Sequence, residues 1–269
     1  MQLSLEKIKK LCTEKGCTVQ QLLHDSAVSK NALYSLARKN TILPRSVHAI
    51  AKTLNVPASA LLTVDSLADN INDIIRRAAA ITGKHKKADP DTIRHTLILL
   101  QEEPLDRLRR SLLRGGKFIF TDSEISFLRD LVRQNVDFMI VGLSAAALQG
   151  APVVTKNIEL CFKYLASAGI KKALKKVSGA YVPPSAINTP MFAGEAVKLF
   201  DIVVHMPGLN DFEQEKNNAL TVRLADFDIA VLSLERIIQS KKVTGRAKDK
   251  LVLPVLKDAL TAIKESSKK

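Results

Sequence analysis

The sequence predicts an α + α/β fold, with an all-helical N-terminal domain, a helical linker and a C-terminal α/β domain. Signals that start and stop helices are dense in residues 1–65, and apolar residues at helical spacing continue through residues 66–117. Residues 118–269 instead alternate short apolar runs with helical segments. With 269 residues, of which 46% are hydrophobic, the chain is long enough for two domains with cores of their own.

Charge and cysteine content narrow the classes of function. The formal net charge of +14 favours a polyanionic partner, above all nucleic acid, over the alternative of a merely basic protein. No apolar run approaches the ~18 residues of a membrane span, and the start MQLSLEKIKK lacks the apolar core of a signal peptide. Three cysteines suggest no disulfide framework. We therefore expect a cytoplasmic protein with no membrane partner.

Five short helices are predicted within residues 4–63. Each follows a residue that favours a helix N-terminus, and Gln21 completes a capping box at the second helix. These starting residues are, in chain order, Ser4, Thr18, Ser29, Pro44 and Pro57. The second and third helices, joined by a tight turn, form a helix-turn-helix pattern.

This pattern is carried by the stretch TVQQLLHDSAVSKNALYSLARKN, and the continuation PRSVHAIAKTLNVPASALLT agrees with it. Residues 4–63 resemble the Cro/C1-type, phage-repressor-like (XRE) helix-turn-helix domains. The sequence departs from the usual pattern at Val19, where glutamine is common, and at Lys39, where glycine is common.

The resemblance implies that the third helix enters the major groove of double-stranded DNA and that a homodimer reads an inverted-repeat operator. The residues expected to contact bases are Lys30, Asn31, Tyr34 and Ser35. The residues expected to contact phosphates are Thr18, Arg38, Lys39 and Arg45. The alternative is that the same module binds a protein.

Residues 66–117 are predicted to form a helical linker or dimerisation segment. One helix ends near Gly83, a second begins at Asp89 and Pro90, and Pro104 interrupts the helical pattern. These helices either supply a dimer surface or pack the two domains together, and the sequence leaves both roles open.

The C-terminal domain, residues 118–269, opens with a capping box at Thr121 and Glu124. Strands are predicted at DFMIVG, NIELCF and EAVKLFDIVVH, with helices at LSAAALQG and SAGIKKALKKVSG and two helices at the end. The stretch DFMIVGLSAAALQGAPVVTKNIEL resembles the opening of minimal bacterial nucleotidyltransferase-fold domains, whose pattern is close to vGGlAaalHGaprvTkDIDL. The resemblance covers residues 118–265 and implies a mixed sheet.

In that family, glycines let the backbone approach nucleotide phosphates, and three aspartates hold two Mg²⁺ ions on the triphosphate. Here Gly142 keeps the first glycine, but Leu143 stands at the second glycine and Val153 at a basic position. We expect Leu143 to obstruct phosphate.

The metal-ligand positions are also altered. Asn157 and Glu159 stand where the family has its Asp-x-Asp pair, and Asp201 alone keeps a carboxylate of the family type. Asn157 brings no charge, and the longer Glu159 suits octahedral Mg²⁺ poorly. We therefore expect a vestigial nucleotidyltransferase site with no metal, no cofactor and no catalytic residues. Lys241, Lys242 and Arg246 either hold an anion or lie on a solvated helix face.

The sequence thus predicts a DNA-binding transcriptional regulator whose degenerate second domain serves dimerisation, sensing of an unknown small ligand or binding of a partner protein. One rival is an active metal-dependent nucleotidyltransferase that uses Glu159 and Asp201 and carries a DNA-binding autoregulatory domain. A second rival is an antitoxin-like or adaptor protein.

Overall fold

A computed structural model describes residues 4–33, 45–61, 65–112 and 119–268 of the chain. The chain combines helices with a five-stranded mixed sheet and divides into two compact units, residues 1–76 and 77–269. Within the described ranges, none of the helices has the length and apolar character needed to cross a lipid bilayer.

The first unit is helical. Ser4 caps the first helix, and Thr18 and Gln21 form the predicted capping box of the second. The first helix ends in a Schellman turn, in which Gly16 at φ +67° lets the Cys17 N–H reach the Cys12 carbonyl at 3.0 Å. The helical elements with defined bounds are Leu5–Glu14, Val19–Asp25, Arg45–Thr53, the 3₁₀ turn Ala58–Leu61, and Asp65–Lys84, which continues into the second unit.

Burial in the first unit follows the predicted periodicity. The largest side chains of its core, each at most 1% exposed, are Ile8, Leu22, Leu33, Ile50 and Leu61. Residues 30–33 are helical, and Ser29 accepts the Ala32 N–H at 3.1 Å, so the predicted cap of this segment is present.

The second unit alternates helices and strands. Its strands are β1 Phe138–Val141, β2 Ile158–Phe162, β3 Ala180–Val182, β4 Met191–Ala193, β5 Phe200–Val203, β6 Leu220–Leu224 and β7 Phe227–Val231. Its helices after Lys84 are Pro90–Leu99, Pro104–Ser111, Asp122–Arg133, Gly142–Leu148, Ala168–Lys176, Phe212–Asn217, Leu234–Thr244 and Ala247–Ser266.

The main sheet has the order β5-β2-β1-β7-β6, and β3 pairs with β4 in a separate ribbon. The β1–β2 and β6–β7 pairs are antiparallel, whereas β1–β7 and β2–β5 are parallel. This register sets Glu159 of β2 beside Val141 on one neighbouring strand and Asp201 on the other. The sheet therefore brings together two carboxylates that are far apart in sequence.

The helices at 90–111 pack onto the second unit. Helix Pro90–Leu99 contacts the C-terminal helix, and helix Pro104–Ser111 contacts helix Gly142–Leu148. Leu108 and Leu112 are fully buried in the same core as the sheet. The core of this unit therefore extends upstream of residue 118, where the sequence pattern changes.

The stretch EAVKLFDIVVH is only partly a strand, which corrects the sequence interpretation. Glu195–Val197 form a 3₁₀ turn after Gly194 at φ +130°, and only Phe200–Val203 are extended. The turn places Val197 in the core with no exposed surface, which the alternation of apolar residues did not distinguish from a strand.

Candidate functional site

A cleft of about 690 Å³ lies in the second unit and is lined by Gly142, Glu159 and Asp201. Cationic or titratable nitrogens surround the two carboxylates. They belong to Lys198, His205, Lys241, Arg246 and Lys248. The cleft is therefore a basic one that contains two acidic side chains.

Gly142 and Glu159 fit each other closely. Gly142 has φ +63°, a conformation that side-chain-bearing residues rarely adopt. A Cβ atom at this position would also overlap the carboxylate of Glu159. Both the backbone and the neighbouring carboxylate therefore require glycine here.

The Glu159 carboxylate lies against the first turn of helix Gly142–Leu148. Its Oε2 is 3.4 Å from the Ser144 hydroxyl, and the Glu159 N–H donates to that hydroxyl oxygen at 3.2 Å. Burial raises the pKa of Glu159, while Lys241 and the backbone N–H groups of Ser144 and Leu143 act in the opposite direction. An internal carboxylate thus lies where a bound anion would meet the helix.

Asn157 is bonded to the remaining carboxylate. Its side-chain Nδ2 donates to Asp201 Oδ2 at 2.7 Å, and its backbone carbonyl accepts from the Thr155 hydroxyl at 2.9 Å. An amide N–H pointing at a carboxylate offers a donor where a cation needs a ligand.

The Mg²⁺ ions that the family resemblance implies do not fit these residues. One oxygen of Asp201 accepts an amide hydrogen, and the Glu159 carboxylate is turned to the helix. Among the residues that the structure describes, no group of three or more His, Cys, Asp and Glu side chains is arranged to hold a metal ion. Mg²⁺ demands several well-placed oxygen ligands, and this arrangement supplies few of them.

Two of the cleft cations are anchored by a buried acid. Asp249 is 1% exposed and accepts from Lys241 Nζ at 3.1 Å and from Arg246 Nε at 2.8 Å. Burial raises the pKa of Asp249, but the hydrogen bonds from Arg246 and Lys241 outweigh it, so the pKa lies below its ordinary value. Gly245 at φ +62° turns the chain between the two C-terminal helices that carry these residues.

The structure separates residues that the sequence grouped together. Leu143 packs against the hydrophobic core and is absent from the cleft lining, so the expected obstruction by its side chain does not occur there. Val153 is buried and lines a different cleft. Only Gly142, Glu159, Asp201 and the Asp201 partner Asn157 come together.

Several residues that line the cleft were not predicted from the sequence. Lys198 lies three residues before Asp201, and its charge within an apolar run was the one available signal. The others carry no motif or spacing signal. They include Thr189, His205, Ser240, Thr244 and Lys248.

The proposed DNA-contacting residues lie in the first unit. Thr18 is exposed, and its hydroxyl accepts the Gln21 N–H at 3.1 Å. Lys30 and Asn31 are exposed in the first helical turn after Ser29. The predicted contacts outside the described residues are Tyr34, Ser35, Arg38, Lys39 and the side chain of Arg45.

Comparisons with protein-family models, with curated proteins and with solved structures found no match to this chain.

Proposed function

We propose that this chain is a sequence-specific, double-stranded-DNA-binding transcriptional regulator, with a second domain of nucleotidyltransferase-like fold that lacks the chemistry. The observation that carries the proposal is the exposure of Lys30 and Asn31 at the start of a capped helical segment. The segment follows a tight turn after helix Val19–Asp25, and Leu22 and Leu33 anchor both parts in one core. The formal net charge of +14 supports a polyanionic partner.

Recognition follows from the chemistry of these two side chains. Lysine donates to guanine O6 and N7, and asparagine pairs bidentately with adenine N6 and N7, each good contact contributing roughly 1–3 kcal/mol of discrimination. In a homodimer, two such segments would read half-sites whose centres lie about 34 Å, or one helical turn, apart. The operator is therefore an inverted repeat.

The second domain acts without nucleotidyl transfer in this proposal. Its support is the state of the two acidic residues: the Glu159 carboxylate lies against the first turn of helix Gly142–Leu148, and Asp201 accepts a hydrogen bond from the Asn157 amide. A domain with these constraints serves dimerisation, sensing of a small ligand or binding of a partner protein.

Selection of bound sequences from a random duplex library tests the proposal. The full chain should enrich an inverted repeat, and Asn31→Ala should lose preference at one base position in each half-site. Lys10→Ala, which removes an exposed lysine from the first helix, should select the same motif as the wild type. Failure to enrich any motif contradicts DNA recognition and favours the antitoxin-like or adaptor alternative.

An active nucleotidyltransferase is the second candidate. The direct register of Glu159 beside Asp201, in a cleft with Lys241 and Arg246, favours it. Incubation with labelled ATP and Mg²⁺ or Mn²⁺ discriminates between the two candidates. Our proposal expects no transfer to protein, DNA or RNA, whereas transfer that disappears in Glu159→Ala and Asp201→Ala establishes the enzyme.

A further inference from the structure

A second cleft, of about 370 Å³, lies in the second unit between helices Pro90–Leu99 and Pro104–Ser111 and the segment 151–154. It shares no lining residue with the larger cleft. Much of its wall is aliphatic. Ile98 and Val154 line it with 40% and 74% of their surfaces exposed, and Leu99, Pro152 and Val153 add apolar surface.

Arg107 supplies a cation to this cleft. Its Nε is the one buried side-chain nitrogen or oxygen without a hydrogen-bond partner in the described ranges. The acid Glu102, which also lines the cleft, is engaged by Arg110 at 2.5 and 3.1 Å. A buried donor without a partner is costly, and the half-buried guanidinium can accept a counter-anion from the cleft.

Arg107 lies against Gly150, which leaves room for the guanidinium because it has no side chain. A Cβ atom on Gly150 would come within 3.3 Å of Arg107 Nη1 and 2.9 Å of Leu100 Cδ2. Gly150 also has φ +101°, so it is held as glycine by its backbone as well. Burial lowers the pKa of Arg107, whereas Glu103 and Glu102 act in the opposite direction.

We propose that this cleft binds a small organic anion with an apolar body, whose head group pairs with Arg107 and whose body packs on Ile98, Pro152 and Val154. The planar guanidinium suits bidentate pairing with a carboxylate, and a phosphate monoester offers the same chemistry. The volume falls in the range of pockets for small ligands, and apolar walls with a few polar groups are typical of them. The polar residues of this lining are His95, Glu102, Arg107, Arg110 and Ser111.

The cleft is linked to the larger cleft through the chain segment that follows its lining residues. The segment that lines the cleft leads to Thr155, whose N–H donates to the Ser111 carbonyl at 3.0 Å. Two residues later Asn157 holds Asp201 at the larger cleft. A ligand would therefore stabilise the packing of helix Pro104–Ser111 on this segment. The proposal does not depend on DNA binding or on the absence of transferase activity.

Isothermal titration of the full chain with octanoate, octyl phosphate and octanamide, each below its micelle-forming concentration, tests this site. The two anions should bind saturably and at least tenfold more tightly than the neutral amide, and the tighter anion identifies the head group. Equal binding of all three probes, or no saturable binding of either anion, overturns the proposal.

Variants place the binding in this cleft. Arg107→Met should weaken octanoate binding at least tenfold, and Arg107→Lys should retain part of it because the charge remains. Arg94→Met is the matched control. Arg94 pairs with Asp91 on helix Pro90–Leu99 and does not line the cleft, so its loss should change octanoate affinity less than twofold. Wild-type affinity in Arg107→Met contradicts the assignment.

Val154→Asp gives a second readout if Arg107→Met fails to fold. Val154 is 74% exposed, so the substitution leaves the core intact, but it puts a negative charge at the cleft. Octanoate binding should fall at least tenfold, while octanamide binding should change much less. Unchanged octanoate affinity in this variant also contradicts the proposal.

Discussion

At the scale of single residues, Asn157 and Glu159 show what spacing in a sequence does and does not determine. That Asn157 brings no charge follows from its residue type alone. The direction of the Glu159 side chain could not, because it depends on N–H groups of helix Gly142–Leu148 and on the absence of a Cβ at Gly142. The packing of Leu143 into the core depends on the helix orientation for the same reason.

Glu159→Gln should make the protein more stable as the pH rises above 4.5, the ordinary pKa of a glutamate. The folded-state pKa of Glu159 is raised above its ordinary value of 4.5, so the ionised side chain destabilises the fold as the pH rises through the raised value. The difference in melting temperature between Glu159→Gln and wild type should therefore grow from pH 4 to pH 8. A stabilisation confined to low pH contradicts a destabilising effect of the ionised Glu159 side chain.

Cysteine reactivity gives an independent check on burial. Cys12 is 2% exposed, and burial, with a hydrogen bond to Cys17, raises its pKa to about 11. Burial alone raises the pKa of Cys161 to about 11. Iodoacetamide at pH 8 should therefore alkylate Cys17 at least tenfold faster than Cys12 or Cys161, as measured by peptide mass spectrometry. In urea the three rates should converge; rapid native alkylation of Cys12 contradicts the packing of the first helix.

At the scale of elements, helix starts that are marked by local capping signals could be predicted from the sequence. Short strands that depend on tertiary pairing could not. The capping boxes at Thr18 and at Thr121 depend on neighbours three residues away, and both are present. The hairpin β6–β7 turns at Ala225, with φ +55°, and Asp226, so it lacks the glycine that usually marks such a turn. The ribbon β3–β4 has strands of three residues each, too short for a clear alternation.

The two C-terminal helices depend on one buried acid. Asp249→Ala should cost roughly 3–5 kcal/mol of unfolding free energy at pH 7, because Lys241, only 13% exposed, loses its buried partner. Asp228→Ala breaks an exposed pair with Arg223 and should cost less than about 1 kcal/mol. Urea unfolding followed by circular dichroism measures both.

Lowering the pH should remove the stabilisation that ionised Asp249 provides. The folded-state pKa of Asp249 is lowered, so its stabilisation is present above the ordinary value of 3.8 and is lost as the pH falls through the lowered value. The cost of Asp249→Ala should therefore shrink as the pH is lowered from 5 toward 2. A cost that is equal for Asp249→Ala and Asp228→Ala at pH 7 contradicts the role of Asp249 as an anchor.

At the scale of the whole molecule, the α + α/β composition could be predicted, but the extent of the second unit could not. The change of pattern near residue 118 marks the start of the strand-containing part of the sequence. The core of the second unit also includes Leu108 and Leu112, which precede this point in the chain. A fragment of residues 77–269 should unfold cooperatively. A fragment of residues 118–269 loses the burial of both leucines, roughly 4 kcal/mol or more, and should be much less stable.

Fragments also test where dimerisation resides. We propose that dimerisation needs residues beyond 65, and we therefore expect residues 1–65 alone to be largely monomeric in sedimentation and to bind DNA weakly. A tight dimer of that fragment, or equal stability of the two longer fragments, contradicts this division of roles.

DNA recognition is tested most directly by the affinity of the full chain for a selected inverted repeat against a scrambled duplex of equal length, measured by fluorescence anisotropy at physiological salt. We expect at least a thousandfold preference for the repeat, as specific DNA-binding proteins show. Asn31→Ala should reduce that preference by roughly 1–3 kcal/mol per half-site contact, while Lys10→Ala leaves it unchanged. Equal affinity for both duplexes, or no effect of Asn31→Ala, would contradict sequence-specific DNA binding by this chain.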